Sequence, residues 1–473
     1  MSQSEETQLE KSMSPLSVWG LALGAMIGWG CFVMPGDTLL PEAGPIGASI
    51  GLILGALLVV VISFSYNYLI SKFPVAGGGF VYADAAFGKT HAFICGWFIA
   101  IAYWALIPMN ATAVGLVARY IFPGPLQQLP LYDIAGWTVY GGELLVDLAA
   151  IVIIGFINLR GAEAAGWFQT AVAMGLVGAI LVILSCILIH GVDLSNLKPY
   201  FAPEKSIFAS IFAVTALAPW AYVGFDCIPQ AAEEYAFSNK KTKALLISSV
   251  SVAALMYMIM NIATAIVAPW QDFIVDNKNW ATGAAVETLI GYFGLILLAI
   301  AMLCGIVSGM NAFYLSGSRL LYSMAIADAL PKAFTKLDPK THVPKNAILF
   351  LLVLSFIAPF FGRQVLSWLV DMTSVGAGMG FTYTSASALA MARREGNGKQ
   401  CFWSGLGVLC SLFFIGLLII PGMPGFLAPQ AWIFLVVWLV IGAIFFASKY
   451  KTYYASTALQ EKVAKASFGM DDK

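Results

Sequence analysis

The chain has 473 residues, of which 60% are hydrophobic, 13% aromatic and only 11% charged, with no formal net charge and a mean hydropathy of +0.84. That composition excludes a soluble globular protein and gives no electrostatic reason to bind nucleic acid. It fits a polytopic membrane protein built as a helical bundle.

The N-terminus carries Glu5, Glu6 and Glu10 ahead of an apolar stretch too long for a signal-peptide core, with no A-x-A-like cleavage site, so no cleaved leader is expected. The first apolar run, 16–40, should span the membrane, yet its middle reads Gly24-Ala25-Met26-Ile27-Gly28-Trp29-Gly30-Cys31-Phe32. Glycines at 24, 28 and 30 weaken a helix at the depth where unpaired N–H and C=O groups cost most. A break is predicted there, with peptide groups turned to a polar solute.

Further runs of spanning length follow at 46–70, 92–118, 144–160, 167–189, 207–232, 244–268, 289–318, 346–361, 365–392, 402–420 and 431–448, twelve in all. With the N-terminus inside, twenty lysines and arginines fall on the inner side and only Arg119, Lys198, Lys205, Lys278 and Arg363 outside. The asymmetry predicts a multi-pass protein of the cell inner membrane with both termini cytoplasmic.

The sixth run holds a second irregular stretch, Trp220-Ala221-Tyr222-Val223-Gly224-Phe225-Asp226, between Pro219 and Pro229. The two irregular centres, near 28 and 223, lie 195 residues apart, and the same offset carries runs two to five onto runs seven to ten. Five helices is an odd number, so the second unit enters the membrane from the opposite side, as in an inverted repeat. The predicted organisation is all-α: a cytoplasmic tail at 1–15, a first repeat at 16–190 (helices 1–5), a second at 207–393 (helices 6–10), two extra helices at 402–448 and a cytoplasmic tail at 449–473. Helices 1 and 6 are discontinuous. The longest loop is expected around Pro123 to Gly142, and the polar tail from Ser456 reads as a short amphipathic segment that says little about function.

Breaking helix 1 leaves the carbonyl end of one half and the N–H end of the other facing one cavity, which suits the ammonium and carboxylate of a zwitterion. Met26, Ile27, Gly28, Trp29 and Gly30, opposite Trp220, Ala221, Tyr222, Val223 and Gly224, form the candidate substrate shell; the alternative use of such glycines is close helix packing. Asp226 lies past the middle of run six, less than two helical turns toward the cytoplasm. A carboxylate is costly to ionise at that depth, so Asp226 is a candidate proton carrier or ammonium contact, with capping of freed N–H groups as the structural alternative. Asp371, six residues into run ten, is a second candidate for proton coupling, or else a group that snorkels to the outer interface. Glu233 and Glu234 end run six near Lys240, Lys241 and Lys243 and are expected in surface or inner-gate ion pairs. His91, His190 and His342 fall in loops or at helix ends, against a histidine relay. Asn110-Ala111-Thr112 matches a glycosylation sequon but sits within helix 3, out of reach. Seven cysteines (31, 95, 186, 227, 304, 401 and 410) have no CxxC spacing or histidine companions and read as packing residues, so neither a metal nor a cofactor is implied.

Several segments together resemble the amino acid, polyamine and organocation superfamily of permeases, over nearly the whole chain. Gly24 to Phe32 is similar to the family's G-[SA]-x-I-G-x-G-[IV]-F. Phe73-Pro74-Val75-Ala76-Gly77-Gly78-Gly79-Phe80-Val81-Tyr82, continuing to Phe87-Gly88 and Gly96-Trp97, is similar to its P-x-[SA]-G-G-x-[YF]-x-Y segment. Asn158-Leu159-Arg160-Gly161 with Gln169, Gly224-Phe225-Asp226 with Glu233-Glu234, and Ser318-Arg319-Leu320-Leu321-Tyr322 through Leu330-Pro331 complete the set.

The resemblance implies the leucine-transporter-like fold and a secondary transporter that moves an amino acid or related amine by alternating access. Proton-coupled symport and exchange both remain open, the latter including an antiporter for a decarboxylated product. It also implies that Trp220 stands where related permeases carry an aromatic lid, with Tyr222, Tyr103, Trp104 and Phe313 as further aromatic candidates. Such rings favour apolar or aromatic side chains, or a cation. The chain departs from the family at Trp29, where many members carry a small residue or hydroxyl, and in helix 5, where a lysine would fall near Leu176 but 164–189 contains no Lys or Arg. Tyr68 and Ile326 replace a glutamate and an arginine. The expected partners are the substrate, protons as a coupling ion and the lipid bilayer, around a monomer or homodimer. A membrane enzyme is disfavoured by the lack of HExxH, GxSxG or clustered carboxylates. A non-transporting sensor would keep the binding site; no added signalling domain is expected from this sequence.

Overall fold

The computed structural model describes residues 9–122, 124–190, 193–277 and 280–468; Glu5, Glu6, Lys278 and Lys473 lie outside the described residues. The apolar runs are covered by helix, the sixth only in short pieces, and among the described residues eight helices are long and apolar enough to cross a membrane.

In the first half, α1 (Pro15–Ile27) and α2 (Gly30–Met34) share the first run, and a π turn at Pro35–Leu39 leads into α3 (Leu40–Lys72). Pro15 opens α1 where its missing N–H costs nothing, and the Ser14 hydroxyl accepts from the Ser17 N–H at 3.1 Å. The chain continues through α4 (Gly79–Phe87), α5 (Lys89–Trp104), α6 (Leu106–Ile121), α7 (Gly141–Leu159) and α8 (Ala162–His190). α5 and α6 divide the third run at Ala105, an interruption not anticipated from sequence. α3 kinks at Gly44 before Pro45, and the Pro45 carbonyl is taken up by the Ser49 hydroxyl at 2.7 Å and Asn261 Nδ2 at 3.0 Å.

The second half holds α9 (Ile207–Thr215), α10 (Ala218–Ala221) and α11 (Cys227–Gln230) within one run. α12 (Thr242–Ala265), α13 (Trp270–Asp276), α14 (Ala281–Ile290), α15 (Tyr292–Ile326), α16 (Lys345–Ile357) and α17 (Gly362–Arg394) follow. α18 (Gly398–Ile419), α19 (Pro429–Ala455) and α20 (Ala458–Phe468) end the described chain.

Two expectations about connecting segments are refined. The long loop after α6 folds into an antiparallel hairpin, β1 (Pro130–Ile134) against β2 (Trp137–Tyr140), where Arg119 lies over the rings of Trp137 and Tyr140 and pairs with Glu143. The polar tail forms α20 and docks on the bundle at the opposite face, which also receives Leu9–Met13.

The core is centred on α15, which packs on α1, α5, α6, α7, α8, α14 and α16 and is buried from Ser308 to Ala325. α19 stands at the rim, with Ile433, Val436, Val440 and Ile444 exposed, the surface expected to face lipid. It is clasped to α5 by two reciprocal bonds: Trp97 Nε1 donates to the Trp438 carbonyl at 2.9 Å, and Trp438 Nε1 to the Trp97 carbonyl at 3.0 Å.

Candidate functional site

α1 stops at Ile27 because Gly28 adopts φ +44°, ψ −139°, a turn that L side chains resist. Its N–H still closes on the Gly24 carbonyl at 3.0 Å, while the Met26 carbonyl accepts from the Tyr257 hydroxyl of α12 at 3.1 Å. α2 then starts at Gly30, where a Cβ would lie 2.5 Å from Trp220 Cη2 and 2.6 Å from Tyr257 Oη. Glycine at 30 is what lets the Trp220 ring lie against the chain.

The second break runs from Ala216 to Asp226, with α10 as a single turn between irregular segments. Gly224 has φ +128°, and a Cβ there would lie 2.5 Å from Ala25 Cβ and 3.0 Å from Met26 N. The two breaks therefore touch, backbone on backbone. Asp226 holds the turn: Oδ1 accepts from the Gly224 N–H at 2.8 Å and Oδ2 from the Tyr103 hydroxyl at 2.7 Å. It is buried, and among the described residues no cation pairs with it.

Trp29 and Trp220 are half-buried and face each other with ring centroids 5.4 Å apart, tilted by 60°. The Trp220 indole N–H is buried and meets no acceptor among the described residues. Beside Gly28 stands Asn110 of α6, two residues after Pro108. Its Nδ2 donates to the Leu106 carbonyl at 2.7 Å, which turns Oδ1 the other way; that oxygen is buried without a donor, 3.1 Å from where a Gly28 Cβ would be. An unfilled acceptor at a helix break is a place for a ligand N–H.

A chain of neutral groups fastens the same part of α1 to its neighbours. Gln169 Nε2 of α8 donates to the Gly20 carbonyl at 2.7 Å and to the Ser308 hydroxyl, and its Oε1 accepts from Asn311 Nδ2 at 2.8 Å. Asn311 Oδ1 accepts in turn from Asn158 Nδ2 of α7 at 2.8 Å. At the face that carries the termini, the Arg319 guanidinium makes a buried pair with Glu234 at 2.6 Å, and the Ser12 and Met13 N–H groups bond the Glu234 carbonyl at 3.1 and 3.0 Å. Both glutamates are therefore in ion pairs, Glu233 with Lys462 at 2.8 Å.

A family model described as amino acid permease matches residues 13–445. The chain belongs to the amino acid permease family. The permease is 26% identical over 383 residues to the methylthioribose transporter of Bacillus subtilis, covering 79% of this chain and 80% of that protein. It is 24% identical over 356 residues to the serine/threonine exchanger SteT of the same organism, covering 75% and 77%. Against the lysine-specific permease LysP of Escherichia coli it is 25% identical over 387 residues, covering 78% and 76%. It is thus an all-α, multi-pass membrane transporter of amino acids or related amines, and not an enzyme.

Of the residues singled out in the permease's sequence, Met26, Gly28, Trp29, Gly30, Trp220 and Gly224 meet at the junction of the breaks. Ile27, Ala221 and Val223 are buried around it. Tyr222 turns away: its hydroxyl donates to the Leu52 carbonyl at 2.9 Å and fixes the second break to α3. Phe313 packs its ring 6.1 Å from that of Tyr103, whose hydroxyl donates to the Asp226 carboxylate. Asp371 is exposed on α17. In the sequence, Asn110 reads only as part of an unreachable sequon, and nothing marks Tyr257. The available signal for Asn110 was a lone amide in an apolar run just past a proline.

Proposed function

We propose that the permease binds a zwitterionic amino acid with a bulky neutral side chain where the two breaks meet, and carries it across the cell inner membrane with both termini cytoplasmic. The observation that carries this reading is the unfilled Asn110 Oδ1 beside the Gly28 turn, which leads directly into Trp29 and its ring contact with Trp220. The oxygen and the α1 carbonyl end attract an ammonium, the start of α2 attracts a carboxylate, and the rings receive an apolar side chain. Asp226 already accepts two hydrogen bonds, which argues against a cationic side chain neutralised there. The 195-residue offset carries α3 onto α12 and α7 onto α16, in keeping with five-helix units of opposite orientation around the site.

Coupling runs through Asp226 in this account. A buried carboxylate held by an O–H and an N–H, with no cation beside it, changes its hold on Gly224 when it takes up a proton, and so links proton binding to the shape of the break. Asp371, exposed on α17, ranks below it. Uptake of one labelled neutral amino acid into proteoliposomes, with and without a pH gradient and against a panel of competitors, tests both parts. Bulky neutral amino acids should compete best, and Asp226→Asn should alter the pH dependence of uptake more than that of binding. An unchanged pH profile removes Asp226 from the proton path and leaves exchange; failure of every amino acid to compete removes the substrate reading.

A further inference from the structure

We propose that Lys462, on the C-terminal helix α20, is a positioning residue of the transport cycle that holds the end of the sixth run closed at the termini face. This rests on the reading of the paired breaks as the transport site, and adds a tie that the site's own residues do not supply.

From Asp226 the chain runs through α11 to Glu233 and Glu234. The Glu233 carboxylate gathers three donors from three separate stretches: the Leu9 N–H at 3.1 Å, the Ala76 N–H at 3.2 Å and Lys462 Nζ at 2.8 Å. The Lys462 ammonium also stands 4.6 Å over the Tyr322 ring and 3.2 Å from its hydroxyl, at the end of α15. Side-chain exposure is 16% for Lys462 and 9% for Glu233, so water screens the pair weakly.

The position of α20 is itself fixed. Lys89 Nζ bonds the Tyr453 and Tyr454 carbonyls at 2.6 and 2.9 Å, where α19 ends. Leu459 is buried, and Gln460 Nε2 donates to Asp84 Oδ2 of α4 at 2.6 Å. An eleven-residue helix has little stability alone, so these contacts set where Lys462 sits. Opening this face moves Glu233 away from the N-terminal stretch, from the segment before α4, or from α20. The Lys462 bond therefore belongs to the closed arrangement, and its loss shifts the balance toward opening.

A carrier site open to one side is closed to the other, so weakening one seal changes the two apparent affinities in opposite directions. In proteoliposomes of known orientation, Lys462→Gln should raise KM on the hairpin side by about threefold to tenfold and lower KM on the termini side by a similar factor. Amide hydrogen exchange in Leu9–Met13 and Val75–Gly79 should quicken while the β1–β2 hairpin is unchanged. Lys462→Arg should restore both. Equal shifts of the two KM values, or unaltered exchange in both stretches, would overturn the proposal. Asn110→Leu in the same assay separates the two claims. A raised KM from both sides there, with no opposed shifts at Lys462, removes the latch alone; opposed shifts at Lys462 with no response to Asn110→Leu remove the binding site alone.

Discussion

At the scale of single residues, two glycines and one amide carry the site. Gly224 combines a positive φ with a neighbour's backbone in the space of a Cβ, whereas Gly88, φ +84°, has nothing within 4 Å of that position. Gly88→Ala should therefore cost strain alone, about 1 kcal/mol, while Gly224→Ala should cost more, force the breaks apart and abolish substrate binding. Thermal unfolding and equilibrium binding of the two variants check this, and equal losses would show that the backbone contact is unimportant. Asn110→Leu should weaken binding about tenfold, roughly 1.4 kcal/mol, because only the ligand uses its oxygen. Gly28 and Gly30 were legible because three glycines in seven residues cannot sit quietly in a spanning helix, and Gly224 because Pro219 and Pro229 flank it in an apolar run. Asn110 was hidden: its importance lies in which way a proline-adjacent carbonyl turns its amide, and no periodicity encodes that.

Among the elements, α1 is tied to several neighbours by neutral side chains. Gln169, Ser308, Asn311 and Asn158 link it to α8, α15 and α7 through groups that cannot change charge in the physiological range. Gln169→Leu removes the bonds to the Gly20 carbonyl, the Ser308 hydroxyl and the Asn311 amide, at about 1 kcal/mol for each bond, and should lower the unfolding temperature clearly. Gln169→Glu should do the same near neutral pH, since a carboxylate cannot donate to a carbonyl; little change in either variant would mean the network relaxes freely. A second tie is pH-sensitive. Lys72 and the Tyr68 hydroxyl hold the Glu395 carboxyl below the usual glutamate range, joining the ends of α3 and α17. A lowered acid contributes stability that is present above the ordinary glutamate range and is lost as pH falls through the lowered value. The pair is exposed, so a Lys72→Met, Glu395→Gln double-mutant cycle should give less than about 1 kcal/mol at neutral pH and nothing in acid. The spans themselves were readable from apolar run length. The break between α5 and α6, the hairpin and the docking of α20 were not, because each is set by contacts from distant parts of the chain.

On the scale of the whole molecule, the 195-residue spacing of the two breaks is legible in the sequence, because glycine and proline mark both interrupted spans. The ion pairs of Glu234 with Arg319 and Glu233 with Lys462 are not legible there, since their members come from three separate regions. The charge asymmetry predicts that a membrane-impermeant thiol reagent reaches a cysteine placed at Lys451 only from the cytoplasmic side and one placed at Ala135 only from outside; the reverse pattern would invert the topology. The central claim is that two interrupted spans meet and offer their free groups to one small zwitterion. The most direct measurement is a cryo-electron-microscopy structure of the permease in nanodiscs with a saturating neutral amino acid. Ligand density is expected between the Gly28–Gly30 turn and Trp220, with its ammonium within hydrogen-bond reach of Asn110 Oδ1. Density elsewhere in the bundle, or a continuous helix through Gly28 or Gly224, would contradict it.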